Sequence, residues 1–430
     1  MERKVGIELF FTKTEGVGGR LKKYPEDFVV KELIDLPESV DEGEYTIAKV
    51  WSRNWETNRL VNSLARELHI DRRCIDFAGT KDKRAITTQW MSFKAEREKL
   101  EEISLRDIEI TEAYTAKNNL YIGSHWGNRF DIIVRDMDND IEEAEELAEG
   151  ISAELKEAGG FPNWFGVQRF GTIRPITHEV GRLIIEGKYE DAVKLYIAEP
   201  MESESDVCYE AREFLQDTWE YKKALEIFPP GLTFERMMIK HLVDKPEDYT
   251  GALKRLPDNL LRMFVHAFQS YLFNRMISLR AEKALPLNDA VPGDVLLPTD
   301  RKGMPNVDTP VEINERNVKK ASKMVKEGKA YVSAPLFGFN SKLSSGEQGE
   351  IERYILEKEG INKKDLIIPE IPNISSKGTR RAIFAPIKDL DWQIDAGGLR
   401  LSFSLFKGTY ATSLLREYMK LPDGDSRLYS

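Results

Sequence analysis

One carboxylate in this chain stands where its neighbours could give it a chemical task. Asp82 has Lys81, Lys83 and Arg84 beside it, within Phe77-Ala78-Gly79-Thr80-Lys81-Asp82-Lys83-Arg84-Ala85-Ile86-Thr87-Thr88-Gln89. An apolar run at 74–78 enters the stretch, and Trp90-Met91-Ser92-Phe93 leaves it with the alternation of a strand. Gly79 is read as the source of backbone freedom for a tight turn that holds Asp82 at a defined point. A carboxylate among cations stays ionised at neutral pH, because opposite charge favours the charged form. That state suits a nucleophile better than a proton donor. A solvated charged turn has the same composition, so the loop alone leaves both readings open.

The flanking chain supplies elements that could carry such a loop. Residues 27–33 and 44–50 are short and β-prone. Thr57 is placed to cap a helix whose apolar positions Leu60, Val61, Leu64, Ala65 and Leu68 share one face. Strand-like segments follow at 108–116, 120–123 and 130–135. Ile141, Ala144, Leu147, Ala148, Ile151 and Leu155 then mark an amphipathic helix with an acidic outer face, stopped by Gly159-Gly160 and Pro162. From about residue 163 helical patterns dominate, at 180–185, 192–196, 211–226 and 259–279. Within the last of these, Phe268, Leu272 and Phe273 have the spacing of core residues. A proline-containing mixed stretch occupies 286–310. Leu399, Leu401, Phe403 and Leu405 alternate with Arg400, Ser402 and Ser404, the pattern of a half-buried strand. Strand-rich ends around a helical middle predict an α+β fold in which one domain is interrupted by another.

At 430 residues the chain is long enough for two cores. Its 41% hydrophobic and 32% charged content is globular rather than disordered. No run of about 18 apolar residues exists, so no membrane span is expected, and Met1-Glu2-Arg3-Lys4 leads into no signal-peptide core. Cys74 and Cys208 form neither a disulfide framework nor a metal spacing, and the five histidines are scattered. A cytoplasmic protein without a bound metal fits. The net charge of −10 argues mildly against a nucleic-acid partner. Cations nevertheless cluster around Arg72-Arg73, Lys81 to Arg84, Arg169 to Arg174 and Lys377 to Arg381, which is compatible with a basic cleft on an acidic body.

Residues 79–89 resemble the signature of the TruD family of pseudouridine synthases. The similarity recurs in order along the chain. Lys22-Lys23-Tyr24-Pro25-Glu26-Asp27-Phe28-Val29-Val30-Lys31-Glu32 is similar to the family's N-terminal motif, and Gly127-Asn128-Arg129-Phe130 to its Gly-Asn-x-Phe element. Asn163-Trp164-Phe165-Gly166-Val167-Gln168-Arg169-Phe170-Gly171 resembles a further block. Phe268-Gln269-Ser270-Tyr271-Leu272-Phe273-Asn274 and Lys407-Gly408-Thr409-Tyr410-Ala411-Thr412 complete the series.

The resemblance implies a pseudouridine-synthase catalytic domain, a mixed or antiparallel sheet with flanking helices, formed by 1–162 and 385–430. An inserted, helix-rich TRUD domain would occupy 163–384. It implies conversion of uridine, at position 13 of transfer RNA, to pseudouridine without a cofactor, by an enzyme expected to be a monomer. Asp82 would be the nucleophile and Lys22 its cationic partner. Phe130 would stack on the turned-out uracil, with Phe28 and Tyr410 walling the pocket. Tyr410 departs from the phenylalanine found in some members, which adds a hydroxyl but keeps the ring. Asn128 could read a uracil edge or brace the Asp82 loop. Gln168 and Arg169 would contact RNA, or form a packed hinge. Arg380 and Arg381 are further candidates for phosphate contacts. Two other readings remain at this point: a non-catalytic RNA-binding protein on the same fold, and a base-excising glycosylase that uses Asp82.

Overall fold

The computed structural model describes residues 1–429, which fall into two compact units. One comprises Phe10–Phe161 with Ala385–Leu428, and the other Met1–Leu9, Pro162–Phe384 and Tyr429. The α+β class expected from the sequence is observed.

The first unit is built on a nine-stranded sheet: β1 (Gly18–Arg20), β2 (Phe28–Ile34), β3 (Tyr45–Arg53), β4 (Ile75–Phe77), β5 (Ile86–Phe93), β6 (Ile108–Ala116), β7 (His125–Met137), β8 (Lys388–Asp395) and β9 (Gly398–Phe406). Its main path runs β8-β9-β7-β2-β5-β3-β6, with β1 added to β7 and β4 to β5. All pairings are antiparallel except β2 with β5, where Val29, Val30 and Lys31 stand opposite Ile86, Thr87 and Thr88. A parallel pair needs a long crossover, supplied here by β3, α1 (Thr57–Glu67) and β4. The first residues of β2 and β5 therefore lie side by side. This brings the segment before Phe28 next to the segment before Ile86.

Helix α1 buries Leu60, Val61, Leu64 and Ala65 in a core cluster with Val50, Met91 and Phe93, as the spacing predicts. Its cap is not Thr57. The Glu56 carboxylate accepts the Asn58 and Arg59 amides at 3.0 and 2.9 Å, satisfying donors that a helix start leaves open. After α2 (Arg97–Glu101), residues 120–123 form a turn rather than the expected strand, with the Tyr121 carbonyl accepting the Ser124 amide at 3.0 Å. Helix α3 (Ile141–Ala158) starts on the Asp140 side chain and ends at Gly159, whose φ of 75° a glycine adopts without strain. Helix α4 (Ala411–Met419) follows β9.

In the second unit the helix Asp258–Glu282 packs closely on Thr177–Ile185. A Cβ at Gly181 would stand 2.0 Å from the Phe264 carbonyl oxygen, so the approach requires glycine. Phe268, Leu272 and Phe273 are core residues, as their spacing predicts. A four-stranded sheet (Val295–Pro298, Val311–Glu312, Ala330–Leu336, Thr379–Ala382) completes this unit. The first nine residues belong here too: Asn274 Nδ2 donates to the Val5 carbonyl at 2.9 Å and Ser278 Oγ to that of Gly6 at 2.8 Å.

Candidate active site

The parallel β2–β5 pair explains how residues 60 apart in sequence meet. Lys22 Nζ lies 3.2 Å from Asp82 Oδ2. The lysine side chain is mostly enclosed while the aspartate is about half exposed, at 15% and 54%. Lys22 has a φ of 52°, in the left-handed region, which costs a side-chain-bearing residue about 1–2 kcal/mol. Its ammonium also sits 4.2 Å from the centre of the Phe28 ring, a cation–π contact. A carboxylate on one side and an aromatic face on the other thus fix the cation.

The loop bearing Asp82 is pinned on both flanks. The Lys81 amide donates to Thr57 Oγ1 at 2.8 Å, which is what that threonine does in place of capping α1. Lys81 Nζ lies 2.5 Å from Glu32 Oε1, and Glu32 Oε2 accepts the Trp90 amide at 3.1 Å. Arg84 donates to the Lys23 carbonyl at 3.2 Å. Earlier in the loop, the Ala78 carbonyl accepts the Gly123 amide at 2.8 Å and faces His125 Nδ1 at 3.0 Å. Burial, and next the charge of Lys81, hold the His125 pKa below its ordinary value, so the ring is neutral at pH 7 and donates through Nδ1. Gly79 does not adopt a positive φ. It is required for room: a Cβ there would stand 2.8 Å from His125 Cε1. The expectation of a backbone-freedom role is corrected accordingly.

Beneath the Lys22 ammonium three rings form a row. Phe28 meets Phe130 edge-on at 6.1 Å, and Phe130 stacks on Phe403 at 5.3 Å. Asn128 is two residues before Phe130 on β7 and so shares its face of the sheet, opposite Glu32 of β2. Its Oδ1 is buried and, among the described residues, has no hydrogen-bond donor; the same holds for Gln89 Oε1 on β5. An enclosed acceptor without a donor costs about 1–3 kcal/mol. Tyr410 is the residue immediately before α4 and is half-buried.

The family model for tRNA pseudouridine synthase D (TruD) matches residues 4–418. The chain belongs to this family. A Methanosarcina mazei protein named tRNA pseudouridine synthase D is 41% identical over 428 residues, spanning 98% of both chains. One from Thermoplasma acidophilum is 40% identical over 408 residues, 95% of each. A Thermococcus sibiricus relative is 37% identical over 417 residues, 96% of this chain and 97% of its own. A crystal structure described as the M. mazei TruD superposes with a TM-score of 0.85 over 97% of both chains. As a family member the chain is an RNA pseudouridine synthase, an isomerase.

Four candidates from the family pattern are thus assembled in the first unit: Lys22 with Asp82, and Phe28 with Phe130. Asn128 shares the Phe130 face. Gln168 and Arg169 belong to the second unit. Gln168 is exposed, while Arg169 donates to Ser270 Oγ at 3.3 Å and lies 5.8 Å from the Phe165 ring centre. Arg381 stacks on the same ring at 4.1 Å and donates to Asn163 Oδ1 at 2.6 Å. Arg380 and Arg174, counted among the cations of a basic cleft, are consumed inside the fold. Arg380 donates to Ser333 and Ser344 beside Glu352, and Arg174 to the Leu195 and Tyr196 carbonyls beside Glu204. Sequence reasoning assigned no role to Glu32 or His125. Glu32 sits in the N-terminal motif four residues after Phe28, so alternation with Val30 and Phe28 was the signal that it faces the same way.

Proposed function

We propose that the protein converts uridine 13 of transfer RNA to pseudouridine with Asp82 as its nucleophilic carboxylate. The 3.2 Å Lys22–Asp82 pair carries this reading, because it joins two separate blocks of the family pattern at one half-exposed carboxylate. The reaction breaks the bond from ribose C1′ to uracil N1, turns the base, and joins C1′ to C5. No atom enters or leaves, so no cofactor or metal is called for. Asp82 either attacks covalently or stabilises an oxocarbenium-like state, as glycosidase carboxylates do. Lys22 holds the carboxylate in one orientation through this contact.

Phe130, backed by Phe28 and Phe403, supplies the ring surface for the turned-out uracil, and Tyr410 a side wall. Asn128 Oδ1 accepts the uracil N3–H, the donor that this buried carbonyl lacks. Gln168 and Arg169 contact the RNA from the second unit. The unit built on the nine-stranded sheet is the catalytic domain, interrupted by the TRUD insertion, in a monomeric cytoplasmic enzyme.

The test is to map pseudouridine in transfer RNA transcripts treated with the pure protein, without metal or nucleotide. Asp82→Asn is expected to abolish the product while folding and RNA binding persist. Asp82→Glu should also fail, since an added methylene displaces the carboxylate by about 1 Å. Pseudouridine from Asp82→Asn at a comparable rate removes the nucleophile assignment. Release of free uracil instead would make the protein a glycosylase.

A further inference from the structure

The turn between β6 and β7 presents Tyr121 and Ile122, the most exposed large apolar side chains among the described residues, at 67% and 69%. Isolated exposed apolar residues are ordinary; two in succession on a fixed backbone are not. The support is rigid. Asn119 Nδ2 donates to Asp76 at 2.9 Å, and the Leu120 amide to Ser92 Oγ at 3.1 Å with the Leu120 side chain buried. The Tyr121 carbonyl accepts from both the amide and the hydroxyl of Ser124, at 3.0 and 2.7 Å. Gly123 bonds through its amide to Ala78, where the Asp82 loop begins, and accepts Lys407 Nζ at 2.6 Å.

Charge favours a polyanion at this tip. No Asp or Glu occurs between Lys117 and Arg129, although the chain contains 73 acidic residues. Lys117 and Lys407 flank the tip. A uridine turned out of its stack also leaves its neighbours' base faces uncovered, and an aromatic ring restores the lost stacking.

We propose that Tyr121 and Ile122 form a docking tip for RNA. The Tyr121 ring stacks on a nucleobase beside the target uridine, and Ile122 packs against the adjoining apolar face of the same strand. This rests on the RNA-modifying function proposed above.

The experiment measures binding of a transfer RNA transcript to Asp82→Asn protein, with and without Tyr121→Ala and Ile122→Ala. Each alanine is expected to weaken binding, roughly tenfold at Tyr121, with the melting temperature unchanged because the side chains are exposed. Tyr121→Phe retains the affinity. The slope of affinity against salt stays the same, since no phosphate contact is lost. Unaltered affinity in the double alanine variant overturns the proposal. So does a dimer in solution that Tyr121→Ala dissociates without changing RNA affinity, which assigns the tip to a second copy of the chain. Pseudouridine formation by the native protein is scored separately. If it occurs while the double variant binds normally, only the docking tip fails. If it is absent while Tyr121→Ala weakens binding, only the proposed reaction fails.

Discussion

Lys81 and Glu32 form an enclosed ion pair, 2.5 Å apart with side chains 5% and 0% exposed, one residue before the half-exposed Asp82. The pair ties the loop to β2, and the Trp90 amide on Glu32 ties it to β5. Removing one partner leaves an uncompensated buried charge, which costs about 3–5 kcal/mol. Lys81→Met and Glu32→Gln are each expected to lower stability by that order, and the double variant to recover most of it. The reaction rate should not recover, because the double variant no longer pins the loop. Denaturant titrations beside single-turnover rates check this; a double variant with native rate shows the pair to be structural alone.

Asn128 offers a sharper separation of stability from function. Its Oδ1 has no donor to lose, and truncation removes an unpaired acceptor while leaving a small cavity, so Asn128→Ala should not lower stability by more than about 1 kcal/mol. If the carbonyl receives uracil N3–H, the same variant should raise KM or lower the single-turnover rate by roughly tenfold or more. Melts and kinetics on one preparation decide it. A large fall in stability with an unchanged rate would place Asn128 in the scaffold instead.

Phe130 is almost buried between Phe28 and Phe403, so truncating it tests two things at once. Phe130→Ala is expected to cost about 3–5 kcal/mol through the cavity it leaves. Phe130→Leu keeps most of the volume, with a cost nearer 1 kcal/mol, yet removes the ring. Its rate should therefore fall far more than its stability, while Phe130→Tyr is partly tolerated. Tyr410→Phe is expected to be nearly silent. A native rate in the leucine variant excludes stacking on Phe130.

Acid should weaken the second unit through His178. Burial holds this imidazole at about 4, against an ordinary value of 6.5, among the rings of Phe170 and Tyr271. Its folded pKa is depressed, so the unfolded chain binds the extra proton. Stability is full above about pH 6.5 and falls as pH drops towards 4, by about 3 kcal/mol over that range. His178→Phe should flatten this part of the profile in denaturant titrations taken from pH 7 to 4. An unchanged slope would show that His178 does not carry the acid sensitivity.

Much of the local structure could be read from periodicity. The α1 and α3 faces and the alternation of Leu399 to Leu405 follow from side-chain direction, and the α3 stop from Gly159, properties of each segment by itself. The Asp82 loop, Lys22 and the Phe28 and Phe130 rings stood out as residue types in ordered blocks. What those blocks could not reveal was pairing. Thr57 read as a helix cap because local rules favour it there, yet the Lys81 amide, 24 residues on, takes its hydroxyl and Glu56 caps instead. Gly79 read as a flexible turn residue, whereas the ring of His125 is what forbids a side chain. Arg174 and Arg380 counted as cations for RNA until the fold enclosed them with carboxylates. Most strands and helices of the first unit, and the residue types suited to the site, were legible in local pattern, whereas residues 120–123 were not. Which residues meet is set by the fold, because the parallel β2–β5 pair places Lys22 against Asp82 and Glu32 against Lys81. Strand order and the buried partners it creates are contacts between distant segments, and no local propensity encodes them.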